Sequence, residues 1–453
     1  MALCVLFPTG TASAQQAPKP AHSLSLDEAL ALIDEVSEPV RAAQAAVDRA
    51  HAEAAQARSL FYPQVGATAG YTRTLESEFE ALKDLGEDFS DLPFGQANRW
   101  DLGVGFAQAL YSGGKISART RAAEAAARAA EETFAEARAS AALQVTEAYF
   151  DAALSARLLA IAESTLTQAE ATYGQIKAGR DVGERSEFDL LRAQVSRDNQ
   201  KPLVVDRRSA RDLAQLRLAQ LLELPADTRF EFTTDPVALA DAEFTAFVEG
   251  ATERAPLRVA TAIVETQQEL RRVARGERLP DIGLSSSYGR VAYPISGAPA
   301  WDDTRTNWTV GVGLSLPIFT GGRLRGVEAA AQADLEAARA REQEVRELSD
   351  LETRQVASLL ESAQALWEAS SGTVEQAQRA YEIAEIRYKE GISTQVELSD
   401  ARLALEVAGA TRATAARDLA VARARVALLP NLPLGGAAPA AVAAVSLARS
   451  GGL

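Results

Sequence analysis

The chain is poor in the residues that most often do chemistry. Its 453 residues include one cysteine, Cys4, one methionine and two histidines, His22 and His51. With Cys4 confined to the N-terminal segment, the rest of the chain has no thiol from which to build disulfides. The histidines stand in no cluster with other metal-ligating types, and no nucleophile–base pairing stands out. No metal, no cofactor and no enzymatic activity are therefore expected. Aromatic residues make up only 6%, which argues against an ordinary globule. Basic residues are outnumbered, 47 against 62 acidic, for a net charge of −15. No basic stripe is left to meet phosphates, which argues against a nucleic-acid partner. Long apolar runs are missing too: none approaches the roughly 18 residues of a transmembrane helix, so membrane entry is open only to strands.

The N-terminal MALCVLFPTGTASAQQ runs from a short apolar stretch to Ala12-Ser13-Ala14, a small-residue cleavage pattern. Residues 1–14 read as a signal peptide with a truncated start, since the positive segment is missing; a disordered tail is the plainer alternative. Leu3 occupies the place where a lipoprotein site before Cys4 needs a small residue.

What the chain has in abundance is helix. Ala-, Glu- and Arg-rich runs such as 121–143 are made of strong helix formers. Ser25-Leu-Asp-Glu28 opens an amphipathic run to about Ser59 with a capping-box pattern. The period then changes to 2. In 64–72, Val65, Ala67, Ala69 and Tyr71 share one face; in 99–108, Trp100, Leu102, Val104 and Phe106 do. Segments 281–289 and 307–316 repeat this alternation, with small or polar residues on the opposite face. Four segments of about ten residues with aromatics near their ends form the pattern of membrane-spanning strands, and a soluble antiparallel sheet with one buried face is the competing reading. Proline is absent from 115–178 and 323–390, which read as very long helices, each followed by a Gly-containing turn (178–186 and 389–394) and a returning helix.

The chain also says nearly the same thing twice. WDLGVGFAQALYSGGK at Trp100 and WTVGVGLSLPIFTGGR at Trp308 lie 308 − 100 = 208 residues apart and agree at six of sixteen positions. The same offset relates Tyr173 to Tyr381, Gly183 to Gly391, Ser186 to Thr394 and Asp189 to Glu397. Earlier in the unit, Pro63, Gly66, Tyr71 and Arg73 match Pro280, Gly283, Tyr288 and Arg290 at an offset of 217. The expected organisation is a signal peptide (1–14), a first repeat (24–222), a linker (223–250), a second repeat (251–429) and a disordered tail (430–453). Each repeat reads helix, strand, strand, long helix, helix. Two repeats supply four strands, and a membrane sheet cannot leave its edge unpaired in lipid, so the chain must associate with itself. The small residues on the face opposite the apolar one fill little space, which favours a twelve-stranded trimer over an eight-stranded dimer.

These features resemble the TolC-like outer-membrane efflux protein family. The resemblance rests on the doubled unit, the paired [YF]-[ST]-G-G-[KR] turns, and the run Tyr388-Lys-Glu-Gly391-Ile-Ser-Thr394-Gln-Val-Glu397-Leu-Ser-Asp400-Ala, and it covers residues 24 to about 429. It implies a mainly α fold with a membrane β-barrel: a homotrimer whose twelve-stranded β-barrel continues into a twelve-helix periplasmic α-barrel. It further implies an exit duct in the outer membrane, in contact with its lipid, serving drug, metal or protein export with a periplasmic adaptor (membrane fusion protein) and an inner-membrane transporter. A soluble periplasmic coiled-coil scaffold or adaptor is the alternative from another class.

On the resemblance, Glu397, Asp400, Asp189 and Tyr388 belong to a periplasmic gate, and Gly183, Ser186, Gly391 and Thr394 to a tip that meets the adaptor. Read alone, Glu397 and Asp400 at i and i+3 make a solvated helix face. Tyr388 corresponds to a family tyrosine that latches neighbouring helices; Ser393 stands where the family sometimes has arginine. Trp100, Trp308, Tyr71 and Tyr288 are expected as aromatic anchors of the barrel. Gly113, Gly114, Gly321 and Gly322 lie in SGGK and TGGR, which lack phosphate-loop spacing and read as strand-to-helix turns. The loop 75–98, with seven acidic residues and one lysine, reads as a solvated extracellular loop, with divalent-ion binding as the alternative.

Overall fold

The computed structural model describes residues 22–76, 97–234, 254–294, 299, 302 and 304–436. The expected signal peptide, nearly all of the acidic loop and the chain after 436 lie outside these residues. Within them the element order is β1 (His22–Leu24), α1 (Leu26–Ala31), α2 (Ile33–Val36), α3 (Glu38–Ser59), β2 (Gln64–Arg73) and β3 (Asn98–Tyr111). Then come α4 (Lys115–Asp181), α5 (Glu187–Leu221), β4 (Phe230–Phe232), α6 (Ala255–Gly276), β5 (Asp281–Ala292), β6 (Arg305–Ser315), α7 (Arg323–Lys389) and α8 (Gln395–Leu428). α4 and α7 are 67 residues each, and the repeats share the order α3-β2-β3-α4-α5 and α6-β5-β6-α7-α8.

Two differences from the sequence reading have local causes. The run from Ser25 to Ser59 is three helices, not one. Ser25 opens the first with a full capping box against Glu28, but Ser37 is extended and Pro39 follows in the first turn of α3. Proline is favoured in the first turn of a helix, where its missing N–H has no intrahelical bond to lose, so Pro39 suits a fresh start at α3, although α5 carries Pro202 in its interior. The tail, expected to be disordered from 430, is folded as far as Gly436, in 3-10 turns at Leu429–Asn431 and Leu434–Gly436. Arg254, 3% exposed, holds it by donating to the Leu429 and Leu432 carbonyls at 3.1 Å each and pairing with Glu352 at 2.9 Å.

The described residues form two compact units: 22–43, 134–234, 254–256 and 348–436, and 44–76, 97–133, 257–294, 299, 302 and 304–347. The first is centred on Tyr149 and Phe150, both fully buried, with Leu24, Leu218, Leu222 and Phe230. Here β1 and β4 pair in parallel, so the expected linker carries a strand that returns to the start of the first repeat. The Tyr149 hydroxyl donates to the Leu24 carbonyl at 2.9 Å and accepts from the Thr234 N–H at 3.2 Å, so this buried hydroxyl is used both as donor and as acceptor.

The second unit holds the antiparallel sheet, in the order β2-β3-β5-β6. The two hairpins join through β3 and β5, leaving β2 and β6 as edges. In the same unit, helices are stitched by alanine contacts and ion pairs: Arg58–Glu124 at 2.6 Å, Arg121–Glu269 at 2.9 Å and Arg258–Glu132 at 2.7 Å.

Candidate functional site

The expected tip residues fall on two turns of identical backbone design. At the end of α4, Glu184 N–H bonds Gly179 O at 2.8 Å and Gly183 N–H bonds Arg180 O at 3.0 Å. At the end of α7, Ile392 N–H bonds Arg387 O at 2.8 Å and Gly391 N–H bonds Tyr388 O at 3.1 Å. Both are Schellman closures, in which one residue must adopt the left-handed conformation. Gly183 and Gly391 do so, with φ of 85° and 73°. Each turn then opens a returning helix with a hydroxyl cap, Ser186 for α5 and Thr394 for α8.

The side chains on this shared backbone diverge. Asp189 is drawn into a reciprocal capping box: Ser186 Oγ donates to its carboxylate at 2.7 Å, and its own N–H bonds Ser186 Oγ at 3.1 Å. The equivalent Glu397 leaves its carboxylate exposed, 4.0 Å from Arg387. Asp400 is exposed as well and borders a groove of about 600 Å³ with Leu366, Thr373, Leu403 and Val407.

Tyr388 does not join the exposed acids. It is buried with Ile176, Leu190, Ala193 and Leu398, and the Arg185 guanidinium lies 4.9 Å from its ring centroid. Burial pushes its hydroxyl pKa up; Arg185 pulls it back and Asp189 adds to the rise. Arg185 was not singled out from sequence, yet the 208-residue offset maps it onto Ser393, the position where the resemblance leads one to look for arginine. The cation is thus present in the other repeat. Two more residues were missed. Gln395, 6% exposed, joins the two returning helices: with its amide nitrogen facing α5 it donates to Asp189 O at 3.2 Å, and its oxygen accepts from Ala193 N–H at 3.1 Å. Arg402, 7% exposed, donates to Ser196 Oγ at 2.7 Å; burial lowers its pKa, against Tyr381 and Glu406.

In the sheet, register brings the four expected anchors together as two cross-strand pairs. Tyr71 lies opposite Trp100 with ring centroids 4.8 Å apart, and Tyr288 opposite Trp308 at 6.3 Å. The face they share carries Val65, Leu102, Val104, Val310, Val312 and Leu314, all exposed. The opposite face pairs Gly66 with Gly105, Thr68 with Gly103, and Gly283 with Gly313. At the strand-to-helix turns Gly113, Gly114, Gly321 and Gly322 all have positive φ, between 58° and 91°, as tight reversals without a Cβ allow.

The profile of the outer membrane efflux protein family matches residues 32–223 and 249–431. The chain belongs to this family. By that family it is an outer-membrane protein. The pyoverdine export outer membrane protein OpmQ of Pseudomonas putida is 26% identical over 273 residues, 58% of this chain and 55% of that protein. The toluene efflux pump outer membrane protein TtgF of Pseudomonas putida is 27% identical over 275 residues, 59% and 54% of the two chains. The chain thus spans about half the length of these curated relatives. In fold it follows the outer membrane protein VceC of Vibrio cholerae, with a TM-score of 0.74 at 20% identity over 89% of this chain and 96% of that one. The Campylobacter jejuni CmeC outer membrane channel gives 0.72 at 16% identity over 94% of each. The scaffold or adaptor reading has no support from these relatives.

Proposed function

We propose that the protein is the passive exit duct of a tripartite efflux or type I secretion system, assembled as a homotrimer with a twelve-stranded β-barrel and a twelve-helix periplasmic barrel. The observation that carries this reading is the sheet: four strands with an exposed apolar face, a small-residue face behind it and two open edges. In water such a sheet is an aggregation hazard; in lipid, closed on copies of itself, every backbone group is paired. The relatives' names supply the class of work, and since they refer to cargoes as unlike as pyoverdine and toluene, we assign cargo choice to the inner-membrane transporter.

The gate in this reading is formed by Glu397 and Asp400, which three copies bring to one throat as six carboxylates. Their exposure supports it, since neither is used up in the fold as Asp189 is. Tyr388 and Asp189 act behind them, holding the helix pair together. The tip at Gly183, Ser186, Gly391 and Thr394 meets the adaptor, its two tight turns giving backbone access. Crowded carboxylates attract cations, so in a planar bilayer Glu397→Ala/Asp400→Ala should lose cation preference and bind blocking multivalent cations several-fold more weakly. Unchanged reversal potential and unchanged block place both acids on a solvated face instead. Native mass spectrometry in detergent tests the assembly: a monomer with intact strands removes the trimer.

A further inference from the structure

The duplication supplies an internal control for the long helix pairs. In the first repeat, Leu159 on α4 and Val204 on α5 are 4% and 6% exposed and form a closed apolar contact with Ala162. The 208-residue offset maps Leu159 onto Trp367 and Val204 onto Arg412. At that point of the second repeat, between α7 and α8, the guanidinium carbon of Arg412 lies 3.7 Å from the centroid of the Trp367 ring. Two aliphatic side chains close such a helix pair, so the fold does not call for an arginine on a tryptophan. Arg412 Nη1 is also shielded from water without a hydrogen-bond partner, an exception among buried polar groups.

Trp367 and Arg412 stand on the wall of a cavity of about 1400 Å³ inside the first compact unit. Its facing walls are a stripe of α4 with Leu154, Arg157 and Ile161 and a stripe of α8 with Leu405, Gly409 and Arg412. Steps of three and four residues put each set on one helix face. The walls touch at Gly409, where a Cβ would lie 3.5 Å from Ile161 Cδ1. Beside that contact the stripes carry alanines, Ala153, Ala160, Ala413 and Ala416, whose short side chains leave the space open. Charge in the cavity runs against that of the chain. Arg157, Arg402, Arg412 and Arg417 face Glu231 and Glu406, in a protein of net charge −15. Arg417 is spent on Asp151 and Asp418, at 2.8 and 3.0 Å, and Arg402 on Ser196, with Glu406 near it. Arg157 is exposed, and neither it nor Arg412 has an ion-pair partner among the described residues.

We infer that this cavity, within one copy of the chain, binds an aromatic carboxylate. A guanidinium presents a planar fork of donors that matches a carboxylate, and stacking on Trp367 fixes the plane of that fork. Arg157 brings a second cation from the opposite wall, and Leu154, Ile161 and Leu405 offer an apolar bed for the ring. An apolar lining with a few convergent polar groups is the usual make-up of a small-molecule site, and the volume exceeds the roughly 300–1,000 Å³ such sites need.

The chain has four tryptophans, Trp100, Trp301, Trp308 and Trp367, so fluorine NMR of the fluorotryptophan-labelled full-length protein in non-ionic detergent reads the site directly. Trp367→Phe identifies the signal. Naphthoate should move the Trp367 signal saturably and leave the other three in place. The neutral naphthamide, of the same shape, should bind about ten-fold more weakly, the worth of one charge-assisted hydrogen bond. Arg412→Val, which installs the first repeat's residue, should keep the denaturation midpoint and weaken naphthoate by a similar factor. A Trp367 signal that stays in place, an equal response to the amide, or undiminished binding by folded Arg412→Val overturns the site. If Arg412→Val does not fold, Arg157→Gln on the exposed face of α4 takes its place: several-fold weaker naphthoate binding supports the site, and unchanged binding overturns it.

Discussion

In the first compact unit Tyr149, Phe150, Leu218 and Leu222 are at most 1% exposed, and two T-shaped aromatic contacts lock Tyr149 against Phe150 and Phe232. The buried apolar side chains of the second unit, among the described residues, are nearly all alanines, joined by Val47, Leu324 and Leu335. Its large apolar side chains stand outward on the strands instead, Trp308 at 71% and Leu314 at 69% exposed. The same chain therefore satisfies the hydrophobic effect in two ways. The first unit removes its large side chains from water by itself; the second leaves them exposed on its strands, which on the proposed reading face lipid, and its helices rely on alanine packing and ion pairs.

Cutting the core of the first unit should have the largest effect. Phe150→Ala is expected to cost about 3–5 kcal/mol, in the range of large aromatic truncations, read as a lower denaturation midpoint and little assembled protein. The matching cut on the sheet, Leu314→Ala, should leave unfolding in detergent far less changed, because that residue is not buried within the chain; equal losses would break the comparison.

A middling effect is expected at Glu406, on α8 in the first unit. Its Oε2 is buried without a hydrogen-bond partner, and burial raises its pKa while Arg402 and Arg207 pull it back. Because the fold prefers the protonated form, stability should fall as pH climbs from the ordinary glutamate range through the raised value, then level off. Glu406→Gln should abolish that slope and stabilise the protein at neutral pH, as thermal unfolding across the acid range would show. A slope that survives in the Gln variant assigns the titration elsewhere.

The smallest effect belongs to the second unit's ion pairs. Arg128→Ala removes the contact to Glu265, whose partners are 55% and 50% exposed. The expected cost is about 0.2–1 kcal/mol, shrinking as salt screens it. A loss comparable with that of Phe150→Ala would show that the ion pairs, not packing, hold this unit.

Much of this is legible in the sequence. The alternation of Trp100, Leu102, Val104 and Phe106 marks a strand because side chains on a strand have period 2. Gly183 and Gly391, each followed three residues later by a hydroxyl residue, mark a helix stop and a helix start. The duplication carried the rest, since a repeated sequence implies a repeated fold. What escaped was the company each residue keeps. Arg185 over Tyr388, Gln395 bridging to α5 and Leu432 buried beneath Arg254 all join positions remote in sequence.

Sequence alone determined where this protein turns, caps and alternates, because those choices depend on backbone sterics and on neighbours within a few residues. The proposal of further copies also starts there, from counting strands against open edges. Only the tertiary structure decided that β3 meets β5 in the middle of the sheet, that the linker strand Phe230–Phe232 returns to His22–Leu24, and that Asp189 spends its carboxylate on a cap while Glu397 keeps its own exposed. Those outcomes turn on which distant surfaces bury the most apolar area and satisfy the most polar groups at once. That is a property of the packed chain and of no segment taken separately.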